Sequence, residues 1–147
     1  MAVWPRLRAL DAADRRLLGE TALLMLRVRA QLWVAPFAAV RHRLQRSGSS
    51  PRRARQDPER VAWAVAAVAR RLPGMSCLVQ SLAADTLLRR RGYHPDLHIG
   101  VRTAVPLEAH AWVECEGRIV AGDVPDLAAY GRLHPVGPPA GKRPDAS

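Results

Sequence analysis

Aromatic residues are scarce in this chain: one phenylalanine, two tyrosines and four tryptophans among 147 positions. Leu, Val and Ala must therefore fill most of any core, and a chain of this length with 48% hydrophobic residues suits one modest core. Cysteine occurs only twice, which excludes a disulfide scaffold. With no evident secretory signal, the expected setting is the reducing cytoplasm. Acidic residues number 13 against 23 basic ones, giving a net charge of +10. That balance bears on partners and solubility, not on fold, and suits acidic peptide, anionic membrane or nucleic acid as well as a solvated basic surface. Long uninterrupted apolar runs are missing too. The most apolar window, Thr21 to Val40, contains Arg27, Arg29, Gln31 and Pro36, so it does not read as a membrane span.

What is present falls into a helical half and a strand-forming half. Asp11 with Asp14 marks a helix start, where the helix dipole favours acids. Leu17, Thr21, Leu24, Val28 and Leu32 then follow helical spacing until Pro36, and a shorter basic segment carries Arg41, Arg43 and Arg46. Packing on the core or on a partner is the preferred reading of this helix. An interfacial membrane helix anchored by Trp33 and Phe37 is the less favoured one. Ser47 to Pro51, with Arg52, Arg53 and Arg55, reads as a solvated linker. No aromatics are interleaved with that basic run and no reader motif accompanies it, so nucleic acid is not expected. Asp57-Pro58 opens a second helical unit bearing Val61, Val65, Val68 and Leu72, which Pro73-Gly74 ends. Ser76 caps the next helix, which runs to Arg91 with Gly92 as its stop.

Beyond Gly92 the apolar period changes to two. Leu97, Ile99 and Val101 mark one strand, Ala109 to Cys115 a second and Arg118 to Asp123 a third, with Glu116-Gly117 as a two-residue hairpin loop. Pro125 to Leu133 reads as one short helical turn, and the tail from Pro135 as disordered. The organisation is thus an N-terminal helical segment (1–50), a chemistry-bearing core (51–134) and a tail (135–147).

One constellation stands out. Cys77 opens a helix, where the dipole and free N–H groups favour a thiolate and can receive an oxyanion. If the Glu116-Gly117 loop pairs Cys115 with Arg118, stepping back along both strands sets His110 opposite Asp123, with Cβ atoms about 5 Å apart. A one-residue slip would undo that pairing. Strand alternation puts His110, Trp112 and Glu114 on one face and Ala111, Val113 and Cys115 on the other. If His110 meets Cys77, Cys115 points away, so a Cys77–Cys115 disulfide competes with a catalytic pair; Cys115 is assigned to packing. Singly, a buried cysteine or a strand histidine is more often structural. Together with Asp123 they form the parts of a nucleophile–base–orienter set. Gln80 and Ser81, one turn past Cys77, are candidates for a substrate groove; Trp112 is a further candidate for substrate binding and for a shield beside the site. Asp85 is expected to face solvent or a salt bridge. His42, His94, His98 and His134 have no ligand spacing with the cysteines, so no metal site is expected.

Cys77-Leu78, the run Leu87 to Gly92, Ile99-Gly100-Val101 and Ala109-His110-Ala111-Trp112-Val113-Glu114 carry a resemblance to the transglutaminase-like leader peptidases of lasso-peptide biosynthesis, best over residues 57–123. The resemblance implies an α+β fold, with a papain/transglutaminase-like core preceded by N-terminal helices, and a Cys77–His110–Asp123 triad acting without cofactor. It implies a cysteine peptidase that removes the leader of a ribosomally made lasso precursor. A small separate leader-recognition protein and an ATP-dependent cyclase are the partners of the split form of that system. Alternatives are a transglutaminase-type acyltransferase and a non-catalytic peptide- or partner-binding module on the same fold.

Overall fold

The computed structural model describes residues 10–47 and 57–133; the linker that follows Ser47, His134 and the tail from Pro135 lie outside them. The chain begins with helix α1 (Ala12–Val34), whose N-cap Asp11 accepts a hydrogen bond from the Asp14 amide at 2.7 Å. Leu17, Thr21, Leu24, Met25 and Val28 form its buried stripe, as the spacing predicts. Pro36 breaks the helix, and α2 (Phe37–Ser47) follows, burying Val40 and Leu44.

Helix α3 (Pro58–Ala69) starts with Pro at its first position and buries Val61, Ala64, Val65 and Val68. Helix α4 (Cys77–Arg90) begins behind Ser76, whose hydroxyl accepts from the Val79 amide at 3.3 Å. Two acids of α1 tie the helical layer together: Asp14 pairs with Arg60 of α3, and Glu20 pairs with Arg90 and Arg91 at the end of α4. No helix of the described residues is long and apolar enough to cross a membrane.

A four-stranded antiparallel sheet closes the fold: β1 (Asp96–Arg102), β2 (Glu108–Cys115), β3 (Arg118–Ala121) and β4 (Gly131–Leu133), in the order β3-β2-β1-β4. Glu116 and Gly117 both take positive φ, 51° and 76°, the backbone that a two-residue hairpin needs, and Cys115 pairs with Arg118 as expected. Pro125 to Leu133 is more than one helical turn: a 3₁₀ turn at Leu127–Ala129 leads into β4, which pairs with β1. One continuous core joins Met25, Val28, Val40 and Val61 to Leu82, Leu87 and Leu88 of α4 and to Val113 and Cys115 of β2.

Candidate active site

The register beyond the hairpin differs from the regular one. Glu114 pairs with Ile119, but Val113 pairs with Ala121, so Val120 is an extra residue and β3 carries a bulge. Val120 and Ala121 are both buried, so neighbouring residues of β3 share the interior and simple alternation fails. The bulge shifts everything upstream in β2 by one place, and β3 ends at Ala121. His110 therefore does not stand opposite Asp123. Its Nε2 lies 2.6 Å from the carbonyl oxygen of Gly122, and Asp123 is exposed.

That contact sets the chemistry of the ring. A carbonyl oxygen only accepts, so Nε2 is the donor and carries the proton. The neutral imidazole then has its lone pair on Nδ1, the atom left to act as a base. Gly122 reaches this position because of what it lacks. Its φ is +79°, and a Cβ there would stand 2.3 Å from the Ala111 carbonyl oxygen and 2.8 Å from Trp112 Cα.

The walls of the imidazole are aromatic. Trp112, almost wholly buried, lies between His98 and His110, with centroid distances of 5.4 and 6.3 Å. Its indole N–H donates to Glu114, which also accepts from Arg132 at 2.9 Å, so Glu114 orients its neighbours. Tyr130 packs against His110 at 5.4 Å, and its hydroxyl donates to Glu108 at 3.3 Å. Packing away from water raises the Tyr130 pKa, with Glu108 and Asp126 adding to the rise and Arg102 opposing it. Arg102 bridges Glu108 and Asp126 beside it. Gly100, opposite His110 on β1, leaves room for this layer: a Cβ would meet Trp112 and Tyr130 at 2.9 Å.

Cys77 is half-buried at the first position of α4 and unpaired, as is Cys115. The cap takes the Val79 and Gln80 amides, which bond the side chain and carbonyl of Ser76. Among the described residues the amides of Cys77 and Leu78 have no hydrogen-bond acceptor and remain as donors at the helix end. Gln80 is half-buried, and its side-chain N–H donates to the Met75 carbonyl at 2.9 Å, securing the turn leading into Cys77. Ser81 is fully buried.

Cys115 is buried in the core with α4, and burial raises its thiol pKa. This confirms its packing role and corrects the expected geometry, since the Ala111, Val113 and Cys115 face of β2, not the His110 face, packs on the helices. Among the described residues no hydrogen bond or ion pair joins Cys77, His110 and Asp123 to one another. Asp85 is buried and paired with Arg89 at 3.0 Å, one of the two roles expected of it. No group of three or more His, Cys, Asp or Glu among the described residues is placed to hold a metal ion.

Reasoning from residue patterns missed Tyr130 and the two glycines. Tyr130 was hidden by the unrecognised β4. The glycines had a readable signal: Gly100 sits between Ile99 and Val101 inside a strand, and Gly122 directly follows one, places where a missing side chain permits close approach. No curated protein and no solved structure matches the chain. Residues 22–134 match the core domain of the transglutaminase-like superfamily, a span holding α2, α3, α4, the whole sheet and most of α1. The chain belongs to the transglutaminase-like superfamily.

Proposed function

We propose that the chain is a cysteine peptidase that removes the leader from a lasso-peptide precursor. Cys77 is its nucleophile, His110 its general base and acid, and Asp123 the supporting carboxylate. The observation that carries this reading is the 2.6 Å bond from His110 Nε2 to the Gly122 carbonyl, which presents Nδ1 as a base within a transglutaminase-like domain. Nδ1 accepts the Cys77 proton as sulfur attacks the scissile carbonyl. The C–N bond then breaks, the imidazolium gives its proton to the leaving amine, and a thioester remains. Water, deprotonated by the same Nδ1, hydrolyses the thioester and restores the thiol. The free amides of Cys77 and Leu78 receive the developing oxyanion. This chemistry requires the α4 start and His110 to meet around the end of the sheet. Asp123, one residue past the Gly122 carbonyl, supplies negative charge near the imidazolium.

A small leader-recognition protein would deliver the precursor and the ATP-dependent cyclase would take the core peptide, with docking replacing a deep substrate pocket. Unpaired thiols suit a cytoplasmic setting. The test is cleavage of a candidate precursor with the recognition protein present, read by mass spectrometry. Cleavage at one position, lost in Cys77→Ala and in His110→Ala, is expected. Cleavage that persists in Cys77→Ala overturns the assignment, and amine-bearing rather than hydrolysed product moves it to an acyltransferase.

A further inference from the structure

Helix α1 has a second apolar face that the core does not use. A helix turns about 100° per residue, so Leu23, Leu26, Ala30, Trp33 and Val34 share the side opposite Leu17, Thr21, Leu24 and Val28. On that outer side Leu23 is 58% exposed, Leu26 47%, Trp33 80% and Val34 85%. Together they run for about 16 Å of helix axis at ~1.5 Å per residue. Large apolar side chains in one contiguous stripe mark a surface that something covers.

The charges around the stripe select what covers it. Arg15, Arg16 and Arg27 lie exposed on the same outer half of α1, and Arg43 and Arg46 are exposed on α2. Arg29 stacks over Trp33, 5.8 Å from its ring, and donates to the Pro73 carbonyl at 2.9 Å. Both acids within α1 turn away from this side: Asp14 is paired to Arg60, and Glu20 to Arg90 and Arg91. The outer face is thus apolar and purely cationic. A second copy would oppose arginine to arginine in a chain already carrying a net charge of +10.

We propose that α1 lies in the headgroup region of an anionic bilayer surface, with Leu23, Leu26, Trp33 and Val34 inserted and Arg16 and Arg27 against lipid phosphates. An apolar stripe with an interfacial Trp and flanking Arg has the composition of a helix that lies on a membrane and does not span it. The proposal is independent of the peptidase reading, because lipid docking needs neither Cys77 nor His110.

The experiment is co-sedimentation of the full chain with vesicles of phosphatidylcholine alone and of phosphatidylcholine with about one third phosphatidylglycerol. Binding to the anionic vesicles is expected, at least tenfold weaker in Trp33→Ser/Val34→Ser and about fivefold weaker in Arg27→Gln. The first two positions are largely exposed, so these variants keep the fold, which circular dichroism checks. Equal binding to neutral vesicles, no binding to either, or binding indifferent to the Trp33→Ser/Val34→Ser pair overturns the proposal. Light scattering that shows a dimer of the wild type, lost in the same double variant, overturns it in favour of a contact between copies.

Discussion

At the scale of single residues, the site is defined as much by absent side chains as by present ones. Gly92 and Gly122 have nearly the same backbone, φ +83° and +79°, but a Cβ at Gly92 meets nothing within 4 Å while one at Gly122 meets the Ala111 carbonyl oxygen at 2.3 Å. Gly92→Ala should cost about 1–2 kcal/mol, the strain of a left-handed residue alone. Gly122→Ala adds a clash with backbone that cannot rotate aside, and should cost about 3 kcal/mol or more. Urea midpoints of the two variants measure the difference, and equal costs would mean that the close approach at Gly122 does not exist. A second residue-scale expectation concerns reactivity. His110 Nδ1 is the free nitrogen, so His110→Ala should slow iodoacetamide labelling of Cys77 near neutral pH by about tenfold. Asp123→Asn should have a smaller effect, because its exposed carboxylate is screened by water. Labelling unchanged in His110→Ala would separate the two groups and leave a binding module as the better reading.

At the scale of elements, α4 carries both the candidate nucleophile and a buried acid. Asp85 lies two turns beyond Cys77, on the inner side of the helix, with Oδ2 on Arg89 and a buried Oδ1 that has no hydrogen-bond partner. Burial raises its pKa above the ordinary carboxylate value, against the pull of Arg89 and Arg41. A carboxyl raised in the folded state contributes stability that is complete below its unfolded pKa of about 4 and is lost as pH rises through the folded value. Asp85→Asn removes that dependence. The variant should gain on wild type as pH rises from about 4 towards 7, because Asn carries no charge that burial penalises. Denaturation at several pH values checks the sign, and a variant that loses ground with rising pH would show the Arg89 pair to outweigh burial. The sequence signals of such elements were uneven. Caps and breakers were legible, because Asp11, Pro36, Pro58, Ser76 and Gly92 act on their own backbone. The hairpin loop was legible for the same reason. The bulge at Val120 and the pairing of β4 with β1 were not, since both depend on what a strand packs against rather than on its own residues. His110 was therefore recognisable as a candidate residue, while its hydrogen-bond partner, the Gly122 backbone carbonyl, has no letter in the sequence.

At the scale of the whole molecule, protection from solvent is unequal in a way that bears on the site. Helix α4 packs against α1, α2, α3 and strands β1, β2 and β3, and Leu82, Ala83, Ala84, Leu87 and Leu88 are almost wholly buried. Strand β4 is three residues long, pairs among the described residues only with β1, and is exposed throughout. Tyr130, which covers His110, immediately precedes it. Elements with few buried contacts open locally, whereas a helix at the centre of the core exchanges its amides only when the molecule unfolds. Hydrogen exchange should therefore show the amides of Leu82 to Leu88 as the slowest in the chain. Those of Leu127 to Leu133 should exchange faster by several orders of magnitude, through an opening that lifts Tyr130 from His110 and uncovers the imidazole while α4 stays folded. Equal protection of the two segments would make the fold one cooperative unit, and access to His110 would then require a route that leaves Tyr130 in place.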